Sequence, residues 1–139
     1  MNRNLTILAV ILYSAKLTAC SKPRDVSGVY RATFQGENGI VLEEKYDLRS
    51  DGTGVFEQEM VVPNLGRGMF VGVGQGTWLT KEDKVIFTEH KKTVSVPDEP
   101  DETRPSSSTT ELTVESNGDL VRSPKEGSSN PPERFLKQR

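Results

Sequence analysis

The stretch Ile40-Val41-Leu42-Glu43-Glu44-Lys45-Tyr46-Asp47-Leu48, with the turn Ser50-Asp51-Gly52-Thr53-Gly54 and the returning segment Val55–Val62, decides the fold class. Ile40, Leu42, Tyr46 and Leu48 fall on one face, and Val41, Glu43, Lys45 and Asp47 on the other. That two-residue alternation marks an antiparallel strand with one face on a core. The Asp-Gly pair supplies a tight turn that sends the chain back alongside itself.

Working outward, the same grammar repeats. Gly28–Phe34 is an earlier strand, and Pro63-Asn64-Leu65-Gly66 breaks Val55–Val62. Met69–Thr80 reads as a long strand, Lys81-Glu82-Asp83 as a turn, and Lys84–Val96 as one long or two short strands. Ser116-Asn117-Gly118 is a hairpin signal between Thr109–Glu115 and Asp119–Arg122. Arg134–Lys137 is a final short strand or a loose tail. No segment after residue 26 holds a 3.6-residue period. Short strands at this spacing predict an all-β domain, a small antiparallel meander or barrel, over 27–123. Pro97–Ser108 is acidic and rich in Pro and Ser, and Ser123–Pro132 is similar. Neither has enough apolar surface to offset ordering entropy. The expectation is a disordered acidic loop at 97–108 and a flexible tail at 124–139, with a short strand as the alternative for its end.

The amino terminus follows other rules. Arg3 precedes Leu5–Ala15, an apolar run of eleven residues. It is too short to span a bilayer, which needs about 20 residues, and has the length of a helical signal-peptide core. Leu17-Thr18-Ala19-Cys20 comes next: an aliphatic residue, two small residues, then a thiol. This tetrapeptide resembles the lipobox of bacterial lipoproteins. The resemblance implies processing at Leu17, Thr18 and Ala19, and removal of residues 1–19. It also implies diacylglycerol on Cys20 as a thioether and an N-acyl chain on its new amino group. Two or more chains anchor stably at roughly 0.8 kcal/mol per buried methylene. Ser21, where Asp would imply inner-membrane retention, favours the outer membrane, facing the periplasm. Residues 20–26 then form a lipidated tether. Its polar part, Ser21–Asp25, reaches about 15–20 Å at about 3.3 Å per residue. Cys20 is the only cysteine, so no intramolecular disulfide can form.

Composition narrows the partners. The 139 residues carry 18 Lys and Arg against 20 Asp and Glu, and apolar residues make up 33%. Arg3 and Lys16 fall in the leader, so the remainder is more acidic still. No basic cluster offers itself to nucleic acid, and no charge draws the domain to anionic lipid. Membrane contact is expected through the anchor alone, with an envelope protein as the further partner.

The β domain resembles small lipocalin-like bacterial lipoproteins, including the amino-terminal barrel of NlpE-type envelope lipoproteins. The features that carry this are Gly28-Val29-Tyr30 opening the first strand, Leu48–Gly54 at a hairpin, and Gly76-Thr77-Trp78 before Val85-Ile86-Phe87. NlpE-type domains carry a Cys-x-x-Cys pair that this chain lacks, so no metal or redox role carries over.

Candidate sites are few. Gly72, Gly74 and Gly76 share one face with Phe70 and Trp78, leaving a stretch of inner wall without side chains. Either an aromatic ring from across the barrel fills the gap, or these five residues face a ligand, as in lipocalins. No phosphate-binding pattern accompanies the glycines. His90 is the only histidine, and zinc needs three or four ligands, so a surface histidine is expected and no metal. Asp98, Glu99, Asp101 and Glu102 lack the spacing of a dedicated calcium loop. Glu43, Glu44, Glu57 and Glu59 are paired carboxylates on strands, the arrangement a glycosidase uses. Glu57 and Glu59, however, lie opposite Phe56 and Met60, on an outer face. A Ser-His-Asp site would have to use His90, and no GxSxG is present. No catalytic residues or cofactor are therefore expected beyond the lipid on Cys20. The functional expectation is a tethered, non-enzymatic binding or structural module. The alternative is a carrier of a small apolar ligand.

Overall fold

The computed structural model describes residues 24–139, save the side chains of residues 66–68. Cys20 and its flanking Leu17, Thr18 and Ala19 lie outside the described residues. The chain is all-β. Its strands are β1 (Gly28–Gln35), β2 (Val41–Leu48), β3 (Thr53–Val62), β4 (Gly66–Lys81), β5 (Lys84–Ser95), β6 (Glu102–Pro105), β7 (Thr109–Val114), β8 (Leu120–Arg122) and β9 (Glu133–Lys137).

The sheet runs β4-β3-β2-β1-β9-β8-β7-β5, and β5 also pairs with β4, which closes an eight-stranded antiparallel barrel. The ninth strand, β6, lies end to end with β7 on one edge of β5: Lys84–Thr88 pair with β7, and Lys91–Val94 pair with β6. Closure leaves few backbone groups unpaired, which is how small β domains avoid exposed edges.

Two turns set the register by the same device. In the β2–β3 hairpin the Gly52 N–H donates to the Arg49 carbonyl at 3.0 Å and Arg49 N–H to the Thr53 carbonyl at 2.9 Å. Between β7 and β8, Gly118 and Glu115 repeat the pattern with Asp119. Gly52 sits at φ +84° and Gly118 at φ +91°, a region that costs glycine little. Asp51 braces the first turn by accepting from the Thr53 amide and hydroxyl.

Alternation then sorts the side chains. Tyr30, Ala32, Tyr46, Leu48, Val85, Phe87, Leu112, Leu120 and Phe135 point inward and are buried, joined by Val26. The Tyr46 ring is the hub: its centroid lies 4.7 Å from Phe56, 5.1 Å from Phe135 and 5.6 Å from Phe87. Most such pairs are edge-on, the favoured geometry for aromatic quadrupoles. One end of the barrel is thus solid. There Tyr30 donates its hydroxyl to the Val26 carbonyl at 2.8 Å, and Arg24 reaches across to the Glu115 carbonyl at 2.8 Å.

One expectation needs correction, and one open alternative is decided. The 97–108 stretch is not wholly a disordered loop, because Glu102–Pro105 form β6 against β5. Of the two alternatives for Arg134–Lys137, a final short strand and a loose tail, the strand is the one observed: β9 joins β1 to β8, and Phe135 is fully buried. Local composition is polar in both places, but strand pairing with distant residues supplies the missing stabilisation.

Candidate functional site

The barrel interior changes character from end to end. Above the aromatic hub, toward the end opposite Val26, two acids enter the interior. Glu44 follows from the alternation of β2, since it lies between Leu42 and Tyr46 on the inner face. It is only 4% exposed. Its carboxylate accepts from the Gln58 amide at 2.8 Å and from the Arg122 guanidinium at 2.5 Å. Arg122, at the end of β8, also pairs with Glu133 of β9 and lies 5.2 Å over the Phe135 ring. Burial pushes the Glu44 carboxyl above the usual carboxylate range, against the opposing pull of Arg122 and Gln58. Burial likewise raises the Tyr46 hydroxyl to about 12.

The second buried acid is Glu89, 7% exposed. Ser106 donates to its Oε1 at 2.5 Å. A β-bulge follows it: Gln75 pairs with Lys91 and Gly76 with Glu89, so His90 is the extra residue on β5 and Lys92, not Lys91, is the next inward position. The bulge kinks β5 inward against the glycines of β4. A methyl group on Gly74 would lie 1.9 Å from Glu89 Oε2, and one on Gly76 would lie 2.0 Å from the Thr88 carbonyl oxygen. Gly72 is met by the Phe70 ring at 3.5 Å. The bare wall read from Gly72, Gly74 and Gly76 is therefore occupied, but by a carboxylate and a backbone rather than a ring from across the barrel.

Between Glu89 and Arg122 the barrel opens as a cavity of about 240 Å³. Tyr46, Phe56 and Phe87 form its floor. Glu89, Lys92, Arg104, Ser106, Ser108, Thr110 and Arg122 line its walls. Phe70, Gly72, Gly74, Gly76 and Trp78 do not line this cavity. Trp78 packs against the core and donates its indole N–H to the Arg49 carbonyl at 2.9 Å, at the closed end. The five residues thus lie apart from this cavity: β4 is pressed onto the bulge of β5 at Gly74 and Gly76, and the space just described lies beside β5, β6 and β7.

The remaining candidates sit outside. His90 is exposed and shares a 2.9 Å hydrogen bond with the Thr77 hydroxyl. Glu57 pairs with Lys45 on the outer face. There Arg31, Thr33, Glu43, Lys45, Glu57 and Glu59 surround a shallow cavity of about 250 Å³. Asp98, Glu99, Asp101 and Glu102 are exposed beyond the mouth. No group of three or more His, Cys, Asp or Glu arranged for a metal occurs among the described residues. No helix among them is long and apolar enough to cross a membrane.

Sequence reasoning left Glu89, Lys92, Arg104 and Arg122 unremarked. A signal did exist for Glu44 and Glu89: each stands at an inward position of an otherwise apolar alternation, Leu42-x-Glu44-x-Tyr46 and Val85-x-Phe87-x-Glu89. No protein-family model, curated protein or solved structure matches this chain.

Proposed function

We propose that the chain is an exported lipoprotein, tethered through lipid on Cys20 to the outer membrane and facing the periplasm. Its barrel acts there as a non-enzymatic binding module, with the open mouth as its binding end. The observation that carries this reading is polarity along the barrel axis. Arg24, four residues after Cys20, docks at the solid end, whereas the 240 Å³ cavity opens at the other. A tether of that length would hold the solid end toward the bilayer and turn the mouth to the aqueous side. A carrier of wholly apolar ligands is the weaker reading, because Glu89, Lys92, Arg104 and Arg122 all face the cavity.

The test uses the full chain, released from membranes in mild detergent and examined by native mass spectrometry with mild crosslinking. A bound molecule or protein is expected, and Ser108→Trp, which fills the rim, should displace it. Finding the protein alone under every growth condition, or equal occupancy in Ser108→Trp, would reject the mouth as a binding end. Replacing Cys20 by Ala should abolish acyl labelling and membrane retention; unchanged labelling would reject the anchor.

A further inference from the structure

We propose, resting on that binding reading, that the mouth takes a small carboxylic acid. Its acid group would sit between Lys92 and Arg104, with its apolar body on the Tyr46, Phe56 and Phe87 rings.

The charged groups at this end of the barrel balance but are not mixed. Glu44 and Glu133 both bind Arg122, so that cation is fully answered. Lys92 and Arg104 are left with Glu89 alone. Glu89 is already engaged: Ser106 holds Oε1, and Oε2 is tucked into the gap at Gly74. Among the described residues no ion pair joins Glu89 to either cation.

Lys92 and Arg104 are moreover direct cross-strand partners in the β5–β6 ladder. Like charges placed directly opposite destabilise a sheet pair. Here the like-charged pair lines a cavity, so an anion bound between the two would turn repulsion into two charge-assisted hydrogen bonds. Glu102, two residues along the same face of β6, faces Val94 instead and does not line the cavity. Ser106, Ser108 and Thr110 add hydroxyls on the adjoining wall.

The order of residues along β5 sets the ligand's polarity. Phe87 lies deepest, Glu89 next, and Lys92 nearest the rim, so the acid belongs outermost and the apolar part innermost. Size is bounded as well. The 240 Å³ space falls below the roughly 300–1,000 Å³ typical of drug-sized ligand pockets. One ring or a short branched chain fits, whereas a long acyl chain does not.

The test measures amide and aromatic-ring NMR shifts of the lipidated full chain in micelles, titrated with benzoate, benzyl alcohol and benzylamine. These three probes share a ring and differ in charge. Benzoate should bind about tenfold more tightly than benzyl alcohol, with benzylamine weakest. Lys92→Gln with Arg104→Gln should reduce benzoate to the level of the alcohol. Equal binding of benzoate and benzyl alcohol would overturn the carboxylate inference and leave the binding mouth standing. So would benzoate binding that ignores the double variant. If no probe shifts the Tyr46 or Phe87 rings, both the inference and the binding reading fall. Should the double variant not fold, the comparison of the three probes on the unmodified protein still decides.

Discussion

At the scale of single residues, Glu44 carries the largest risk in the fold. A carboxylate 4% exposed is tolerated because Arg122 and Gln58 satisfy it. Removing one partner of such a pair is costlier than removing both. Arg122→Met should therefore cost about 3 kcal/mol at neutral pH, and Arg122→Met with Glu44→Gln distinctly less. The pH dependence has a definite sign. Glu44 titrates above its ordinary value in the folded protein, so the folded form holds the proton more tightly than the unfolded one. Its contribution to stability is greatest below the unfolded carboxylate pKa and is lost as pH rises through the raised value. Without Arg122 the shift grows, so the single variant should regain stability on acidification toward about pH 4. Denaturant melts across pH would check this. A single variant that loses stability steadily on acidification would show that Glu44 is not the group responsible.

Among the elements, β9 matters most for its length. Glu133–Lys137 pair with β1 on one side and β8 on the other, and Phe135 meets Tyr46 and Phe34 in the core. Without β9 the barrel is an open sheet with two unpaired edges. A chain ending at Pro132 should lose cooperative unfolding. Phe135→Ala in the full chain should cost about 3–5 kcal/mol. Thermal melts followed by circular dichroism would measure both; a truncated chain that melts as sharply as the full one would refute the role given to β9. The strand was only half legible in Arg134–Lys137, because one Phe and one Leu among charges do not distinguish a tail from a strand. The hairpins were legible, since Asp51-Gly52 and Asn117-Gly118 specify their turns locally. The bulge at His90 was not. It arises from the fit of β5 against a glycine wall, and no residue in β5 announces it.

For the whole molecule, closure of the barrel places both tyrosines of the described residues, Tyr30 and Tyr46, inside it. Burial raises each to about 12. Their protonated forms favour the fold. That stability is fully present below the unfolded tyrosine pKa of about 10 and is lost as pH rises from there through the folded values. Alkaline titration should show tyrosinate absorbance appearing together with unfolding, and Tyr46→Phe should weaken that coupling. Tyrosinate appearing at about pH 10 with the fold intact would contradict the burial assigned here. At this scale the division between sequence and tertiary structure is also plainest. Alternation and turn chemistry act between near neighbours, so the all-β class, most of the strands and the turns follow from the chain itself. Closure into a barrel, the pressing of Glu89 into the gap at Gly74, and the meeting of Lys92 with Arg104 depend on segments brought together by folding. Residues far apart along the chain share a cavity only once the ladder is complete. For that reason the tertiary structure alone revealed the mouth beside β5 and β6.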